Sequence, residues 1–332
     1  MRRLLHLLPV IMLMQAVSGQ ESNISTLRFL FLNADRLYDN VDDQGTSDNE
    51  FSPAGSLAWD KSKYEKRCED IAGILSSQEN GILPGLIALS GIENEHVATD
   101  IFSSRKLRKA GYSILAGSFY PGSGIVIAAA DGAAEILESR SLVPDLNPQL
   151  TDISVIQYSK VKLSDGLIYH IFLNEWPDRQ AAGSQAESMR MACAATLRKE
   201  VDLIINFERD ARIIIAGSFF DEPTDRSVMN ILNATNKQKN ISERDLYNLH
   251  FDKHNFEGRG TVTVNGIWQM TDFIIVSPSL LKENSFFSTS FEGGFIGEPS
   301  PSFGPAFSGS IYTGGSGAHL PVFIDLSMNE KR

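Results

Sequence analysis

After Ser22 the chain alternates short apolar runs with longer amphipathic stretches, and most of the apolar runs end in Asn, Gly or Pro. That is the pattern of strands and helices punctuated by turns. The short runs predict strands at Leu27 to Asn33, Leu86 to Ser90, Tyr112 to Ala116, Gly124 to Ala129, Val155 to Leu163, Ile168 to Glu175, Arg212 to Gly217, Asp272 to Ser277 and Val322 to Leu326. The amphipathic stretches predict helices over Lys61 to Ser77, His96 to Ala110 and Ala186 to Asn206. Val155 to Leu163 and Ile168 to Glu175 are joined at Ser164-Asp165-Gly166, a turn composition that makes them an antiparallel hairpin. The sheet structure is therefore mixed, and the fold class is α/β. No repeat is visible, and one domain over residues 20–332 is the economical organisation. The stretch Asn284 to Ser316 is dense in Gly, Ser and Pro, which predicts a long loop, functional or disordered. Its phenylalanines (Phe286, Phe287, Phe291, Phe295, Phe303 and Phe307) argue against full disorder, because aromatic side chains seek a surface to cover.

Composition changes this picture at the N-terminus. Arg2 and Arg3, the apolar run Leu4 to Val17 and the small residues Ser18 and Gly19 have the order of a secretory signal peptide. Residues 1–19 are set aside on that reading, and the mature chain is expected to be exported, periplasmic or secreted. An uncleaved anchor is the alternative, but the apolar run is short for spanning and contains His6. No later segment is apolar enough to span, so no membrane span remains after cleavage. Loss of Arg2 and Arg3 takes the formal charge from −11 to −13. Nucleic acid is a disfavoured partner for so acidic a chain, because polyanions are repelled at long range. Cys68 and Cys193 both fall in predicted helices, in a spacing that matches no metal motif. Export permits a disulfide between them, and two buried free thiols are the other reading.

The ends of the predicted strands carry a series of polar motifs. In order they are Asn33-Ala34-Asp35-Arg36-Leu37-Tyr38-Asp39, Gly91-Ile92-Glu93-Asn94, Asn174-Glu175-Trp176-Pro177-Asp178-Arg179, Gly217-Ser218-Phe219-Phe220-Asp221, Thr271-Asp272 leading into Phe273 to Ser277, and Ser316-Gly317-Ala318-His319-Leu320-Pro321-Val322. The series resembles the endonuclease/exonuclease/phosphatase superfamily, whose fold is deoxyribonuclease-I-like, and specifically its exported bacterial branch. There the patterns run N-V-E-N-L-F-D, E-V-E-N, N-H-W-P-S-R, G-D-F-N-D, L-D-x-I-I-V-S and S-D-H-L-P-V. Glu50 to Gly55 and Trp59 resemble a further stretch of that branch, and the likeness runs from about Phe29 to Leu326. It implies a four-layered α/β sandwich of two packed sheets with helices outside. It also implies hydrolysis of phosphoesters by a divalent ion, usually Mg²⁺, with hard oxygen ligands and a polarised water.

Several positions depart from what that chemistry needs. Gly91 stands where the resemblance places a metal-binding Glu and offers no side-chain oxygen. Glu93 is two residues along, a displacement of about 6.5 Å on the same strand face. Glu175 replaces a phosphate-facing His with an anion. Ser218 and Phe220 replace the Asp and Asn that handle the nucleophile, and Ala318 replaces another Asp. Asn33, Asp272 and His319 match the pattern and are the candidate catalytic remnants. Arg179, in the matched Trp-Pro-x-Arg, is a candidate ligand-binding residue together with Glu175, or else a loop anchor paired with a carboxylate. His319 reads equally as a packing residue, with Asp272 as its orienter.

Two functions follow. One is a catalytically inactive family member that uses the old cleft to bind an unknown small ligand or protein partner, with no cofactor expected. The alternative is a weak or altered phosphoesterase using Asp272 and His319, with Mg²⁺ or another divalent cation on relocated carboxylates such as Glu93, Glu175 or Asp35. A separate cluster, Asp39, Asp42, Asp43, Asp48 and Glu50, is dense enough in carboxylates to suggest Ca²⁺, though its spacing is not that of an EF-hand.

Overall fold

The first strand, β1 (Ser25–Leu37), is apolar on both faces. Leu27, Phe29 and Phe31 belong to one buried cluster, and Leu30, Leu32 and Ala34 to another. With side chains alternating at period two, such a strand must have a packed layer on each side. The computed structural model describes residues 25–328 except 44–45, 47, 77–82, 121–122, 145–154, 180–182, 238, 240, 283–285 and 290–303. The remaining strands are β2 (Leu86–Ile92), β3 (Ser113–Tyr120), β4 (Ser123–Ala129), β5 (Ala134–Leu142), β6 (Val155–Leu163), β7 (Ile168–Glu175), β8 (Arg212–Ser218), β9 (Ala234–Thr235), β10 (Leu246–Asn248), β11 (Val262–Val264), β12 (Ile267–Gln269), β13 (Asp272–Val276), β14 (Phe286–Thr289), β15 (Phe307–Ser308), β16 (Ile311–Tyr312) and β17 (Val322–Met328). The helices are α1 (Lys61–Ser76), α2 (Glu95–Ser103), α3 (Ala186–Phe207), α4 (Phe251–Asn255) and α5 (Pro278–Lys282).

Two mixed sheets form, in the orders β14-β17-β1-β2-β4-β3 and β5-β6-β7-β8-β13-β10-β9. The parallel pairs β1/β2 and β7/β8 lie inside their sheets, and a short third pair, β9/β10, lies at a sheet edge. Phe29, Phe31, Ala88 and Ile127 of the first sheet meet Val161, Ile171, Leu173, Ile214 and Ile274 of the second in the central core. The outer face of the first sheet is covered by α1 and α2 through Ile71, Leu75, Val97 and Ile101. Cys193, Leu197 and Val201 of α3 cover the second, against Phe172, Ile213 and Phe273. The result is four layers, helix, sheet, sheet, helix.

Some elements differ from the sequence expectation. The helix expected to Ala110 ends at Ser103, and a single 3₁₀ turn at Arg108–Ala110 follows. The intervening Ser104, Arg105 and Lys106 supply no apolar residue for the sheet, and helix packing resumes only with Leu107. The strand expected at Tyr112 to Ala116 runs from Ser113 to Tyr120. Strand β5 was not expected, because its exposed charges mask the apolar alternation. It is a sheet edge, where such charges discourage further pairing, and Arg140 lies over the Tyr158 ring. The long Phe-rich stretch contains β14 and a small hairpin, β15 with β16. Phe307 of that hairpin packs against Phe51, Trp59 and Tyr312; Phe291, Phe295 and Phe303 lie outside the described residues, as do residues 1–19.

The disulfide that export would permit is not formed. Cys68 and Cys193 are buried thiols outside any disulfide, on α1 and α3 in opposite outer layers. A bridge needs Cα atoms within about 7 Å, whereas two sheets stand between these helices. Burial pushes the Cys68 thiol up to about 12, which removes the reactive thiolate at neutral pH. Thiol titration is therefore expected to find both cysteines unreactive in the native protein and both reactive after denaturation. A chain that yields no thiol after denaturation without reductant would contradict this arrangement.

Candidate functional site

The carboxyl ends of β1, β2, β7 and β8 meet at one edge of the sandwich, and the polar residues there bond across the gap between the sheets. Asn33 at the end of β1 donates through Nδ2 to Ser218 Oγ of β8 at 2.8 Å. Ser218 in turn donates to Asp272 Oδ1 at the start of β13. The other Asp272 oxygen accepts from Thr261 Oγ1 at 2.7 Å and Thr271 Oγ1 at 3.1 Å, and lies 2.7 Å from His319 Nδ1. His319 precedes β17 of the first sheet, so this contact also joins the sheets. Asp272 and Ser218 are fully buried, and His319 is 8% exposed.

Burial by itself would lower the His319 pKa, but the Asp272 charge and hydrogen bond outweigh it, with Asp35 and Glu175 adding to the pull, and raise it to about 9. Burial likewise opposes ionisation of Asp272, yet His319, Ser218 and Thr261 hold its carboxyl below the usual range. At neutral pH the pair is therefore imidazolium and carboxylate, and His319 has no free lone pair with which to take a proton. The raised folded value fixes the sign of the pH dependence: the His319 contribution to stability is fully present below its unfolded value and is lost as pH rises through about 9. Denaturation measured from about pH 6.5 to about pH 9.5 should show stability falling in the wild type and a flatter profile in His319→Gln. Equal slopes in the two proteins would count against the ion pair.

Glu175, at the end of β7, makes a second cross-sheet link. Its Oε2 accepts from Gly91 N at 3.2 Å and Ser123 Oγ at 2.7 Å, on β2 and β4 of the other sheet. Burial raises its pKa, while these two donors and His319 act in the opposite direction. Gly91 has φ +65°, and a Cβ there would lie 2.3 Å from Asn33 Oδ1 and 3.1 Å from Asp35 N. Asp35 and Arg36 are themselves left-handed, at φ 54° and 56°, where the β1/β2 register shifts. This tight turn is held by Asn33 Oδ1, which accepts Asp35 N at 2.8 Å, and by Arg67, which donates to the Ala34 and Asp35 carbonyls at 2.7 Å. Asp35 Oδ2 accepts Ala318 N at 3.0 Å, adding a contact to the loop that carries His319.

Phe220, at φ 50°, presents its ring edge-on to His319 with centroids 6.3 Å apart. Its carbonyl accepts Arg179 Nε at 2.9 Å, and Arg179 Nη2 lies 2.7 Å from Asp225 and 3.4 Å from Asp221. Arg179, which follows β7, is thus occupied by the segment after β8, as an anchor between the two. Thr271 stands in the quoted motif beside Asp272, whereas Ser123 and Thr261 carry no signal in the sequence and are ordinary hydroxyl residues brought in by the fold.

Asp35 and Glu175 lie near enough to His319 for their charges to act on it, whereas Glu93 does not join them. Among the described residues, the group of carboxylate, imidazole or thiol ligand atoms mutually within 4.8 Å is Asp43, Asp48 and Glu93. Glu93 thus turns toward the loop after β1, where its Oε2 accepts Asp39 N at 2.8 Å. Burial, with Asp48 and Asp39 nearby, pushes its carboxyl up to about 8. Of the other acidic residues in that loop, Glu50 pairs with Arg36 at 3.1 Å, and Asp39 accepts Val41 N and Asn94 Nδ2 at 2.7 and 3.2 Å.

A model of the Endonuclease/Exonuclease/phosphatase family matches residues 28–328, nearly the whole chain. The chain belongs to this family. Solved structures of family members share its fold at low identity. An endonuclease/exonuclease/phosphatase family protein from Bacteroides thetaiotaomicron superposes with TM-score 0.58 at 16% identity, covering 93% of this chain and 100% of that one. The human Nocturnin catalytic domain with bound sulfate gives 0.55 at 14%, covering 91% and 94%. The Bacteroides thetaiotaomicron mannosyl-6-phosphatase Bt3783 gives 0.54 at 16%, covering 90% and 99%. No curated protein matches the chain significantly. The two mixed sheets and their helices agree with the deoxyribonuclease-I-like fold of these neighbours.

Proposed function

We propose that this member of the Endonuclease/Exonuclease/phosphatase family is an exported binding protein, without the metal-dependent hydrolysis that the family resemblance implies. The observation that carries the reading is Gly91. At its φ of +65° a Cβ would collide with Asn33 Oδ1, so the present backbone has no room for a metal-binding Glu side chain at that position. The other residues do not fit a catalytic Mg²⁺ either. Asp272 is enclosed by Ser218, Thr261, Thr271 and His319, and Glu175 is directed at Gly91 and Ser123. Positions that would meet an ion or a water instead join one sheet to the other. Export rests on the charge, apolar run and small residues of Met1 to Gly19.

The remaining cleft surface favours a neutral or partly apolar ligand. Phe220 supplies a ring beside His319, and Glu175 repels a phosphate brought to the same edge. A small molecule or a loop of a protein partner suits this chemistry, and a polyanion such as nucleic acid does not. The test is an assay of the purified mature protein on bis-p-nitrophenyl phosphate and on DNA, with Mg²⁺, Mn²⁺ or Ca²⁺ and with EDTA, beside His319→Ala. Equal background under every condition is expected. Metal-dependent turnover that disappears in His319→Ala would overturn the binding reading.

A further inference from the structure

We propose that Asp43, Asp48 and Glu93 form a calcium site that pins the loop following β1 to the end of β2. Asp48 and Glu93 are 1% and 4% exposed, and Glu93 Oε1 is buried with no hydrogen-bond partner. No lysine or arginine forms an ion pair with any of the three among the described residues. Buried carboxylates require a compensating charge or a proton; no side-chain cation supplies the charge here, and a bound cation would replace the proton that Glu93 otherwise keeps beside Asp48.

The geometry suits a hard cation. Calcium lies about 2.3–2.6 Å from each oxygen ligand, so oxygens around one ion are separated by up to about 5 Å. The three ligand atoms here lie within 4.8 Å of one another. All are oxygens, which excludes preference for a soft thiolate-seeking metal. The supporting bonds leave the group oriented: Glu93 Oε2 is occupied by Asp39 N at 2.8 Å, leaving Oε1 free for the ion. Asp48 Oδ2 accepts Asp43 N at 3.2 Å, and Asp48 Oδ1 accepts Thr46 Oγ1. Such second contacts aim the ligand oxygens. Asp43 is exposed, which leaves one side of the ion open to water, and an irregular shell of side chains and water favours Ca²⁺ over the stricter octahedron of Mg²⁺.

The experiment is isothermal titration of the EDTA-treated, dialysed protein with CaCl₂ and separately with MgCl₂, together with thermal melts. One Ca²⁺ per chain is expected, with a dissociation constant on the order of millimolar or tighter and a matching rise in Tm. Asp43→Asn, an exposed change that leaves the core intact, should weaken Ca²⁺ binding about tenfold or more, and Glu93→Gln should weaken it at least as much. The proposal is overturned if neither heat nor a Tm shift appears up to about 5 mM Ca²⁺, or if Asp43→Asn and Glu93→Gln both bind as the wild type does. Mg²⁺ binding as tightly as Ca²⁺ overturns the assignment to calcium. None of these outcomes depends on whether the neighbouring cleft is catalytic.

Discussion

Asp272→Ala is expected to cost about 3–5 kcal/mol of stability at neutral pH, the usual scale for breaking a buried ion pair from one side. The substitution removes the counter-charge of His319 and the shared acceptor of Ser218, Thr261 and Thr271. His319 must then lose its proton or remain a buried unpaired cation, and three hydroxyls lose their acceptor. Because Asn33 donates to Ser218, the loss also loosens the link between β1 and β8. Urea unfolding gives the difference directly. His319→Ala should cost less, since the Ser218, Thr261 and Thr271 hydroxyls still solvate the carboxylate. If Asp272→Ala cost less than about 1 kcal/mol, or less than His319→Ala, the network would not be the structural element described.

Gly91→Glu, the change that puts the family's metal-binding carboxylate back, is expected to destabilise the fold by about 3 kcal/mol or more and to restore no hydrolysis. A non-glycine residue at a left-handed φ costs on the order of 1–3 kcal/mol, and displacement of Asn33 adds the loss of its bonds to Asp35 and Ser218. The new carboxylate would also face Glu175, whose Oε2 already accepts Gly91 N. Denaturation together with the phosphodiester assay separates the two consequences. A Gly91→Glu protein as stable as the wild type and active with Mg²⁺ would mean that the cleft lacks only one ligand, and the binding function would have to be abandoned.

Much of this protein is determined by sequence alone. The short apolar runs of β1, β6, β7 and β8, bounded by turn residues, locate strands because run length and turn composition are local properties of the chain. The motifs at their ends locate the cleft, since each follows its own strand directly, and the departures at Gly91, Glu175, Ser218, Phe220 and Ala318 are visible without coordinates. Strand β5 and the early end of α2 were hidden because edge exposure and packing against a sheet, more than local pattern, decide them.

Tertiary structure alone decided what the altered residues do. Glu175 lies 84 residues from Gly91 and 52 from Ser123, and nothing in the spacing pairs them. The acidic run after β1 showed many carboxylates; the fold selects Asp43 and Asp48, adds Glu93 from just beyond β2, and gives Glu50 to Arg36. Which face a residue occupies is written along the chain, but which partner it meets depends on how two sheets are laid together. That arrangement is set by the central apolar core of both sheets, and it places the polar residues at its edge within bonding distance of one another.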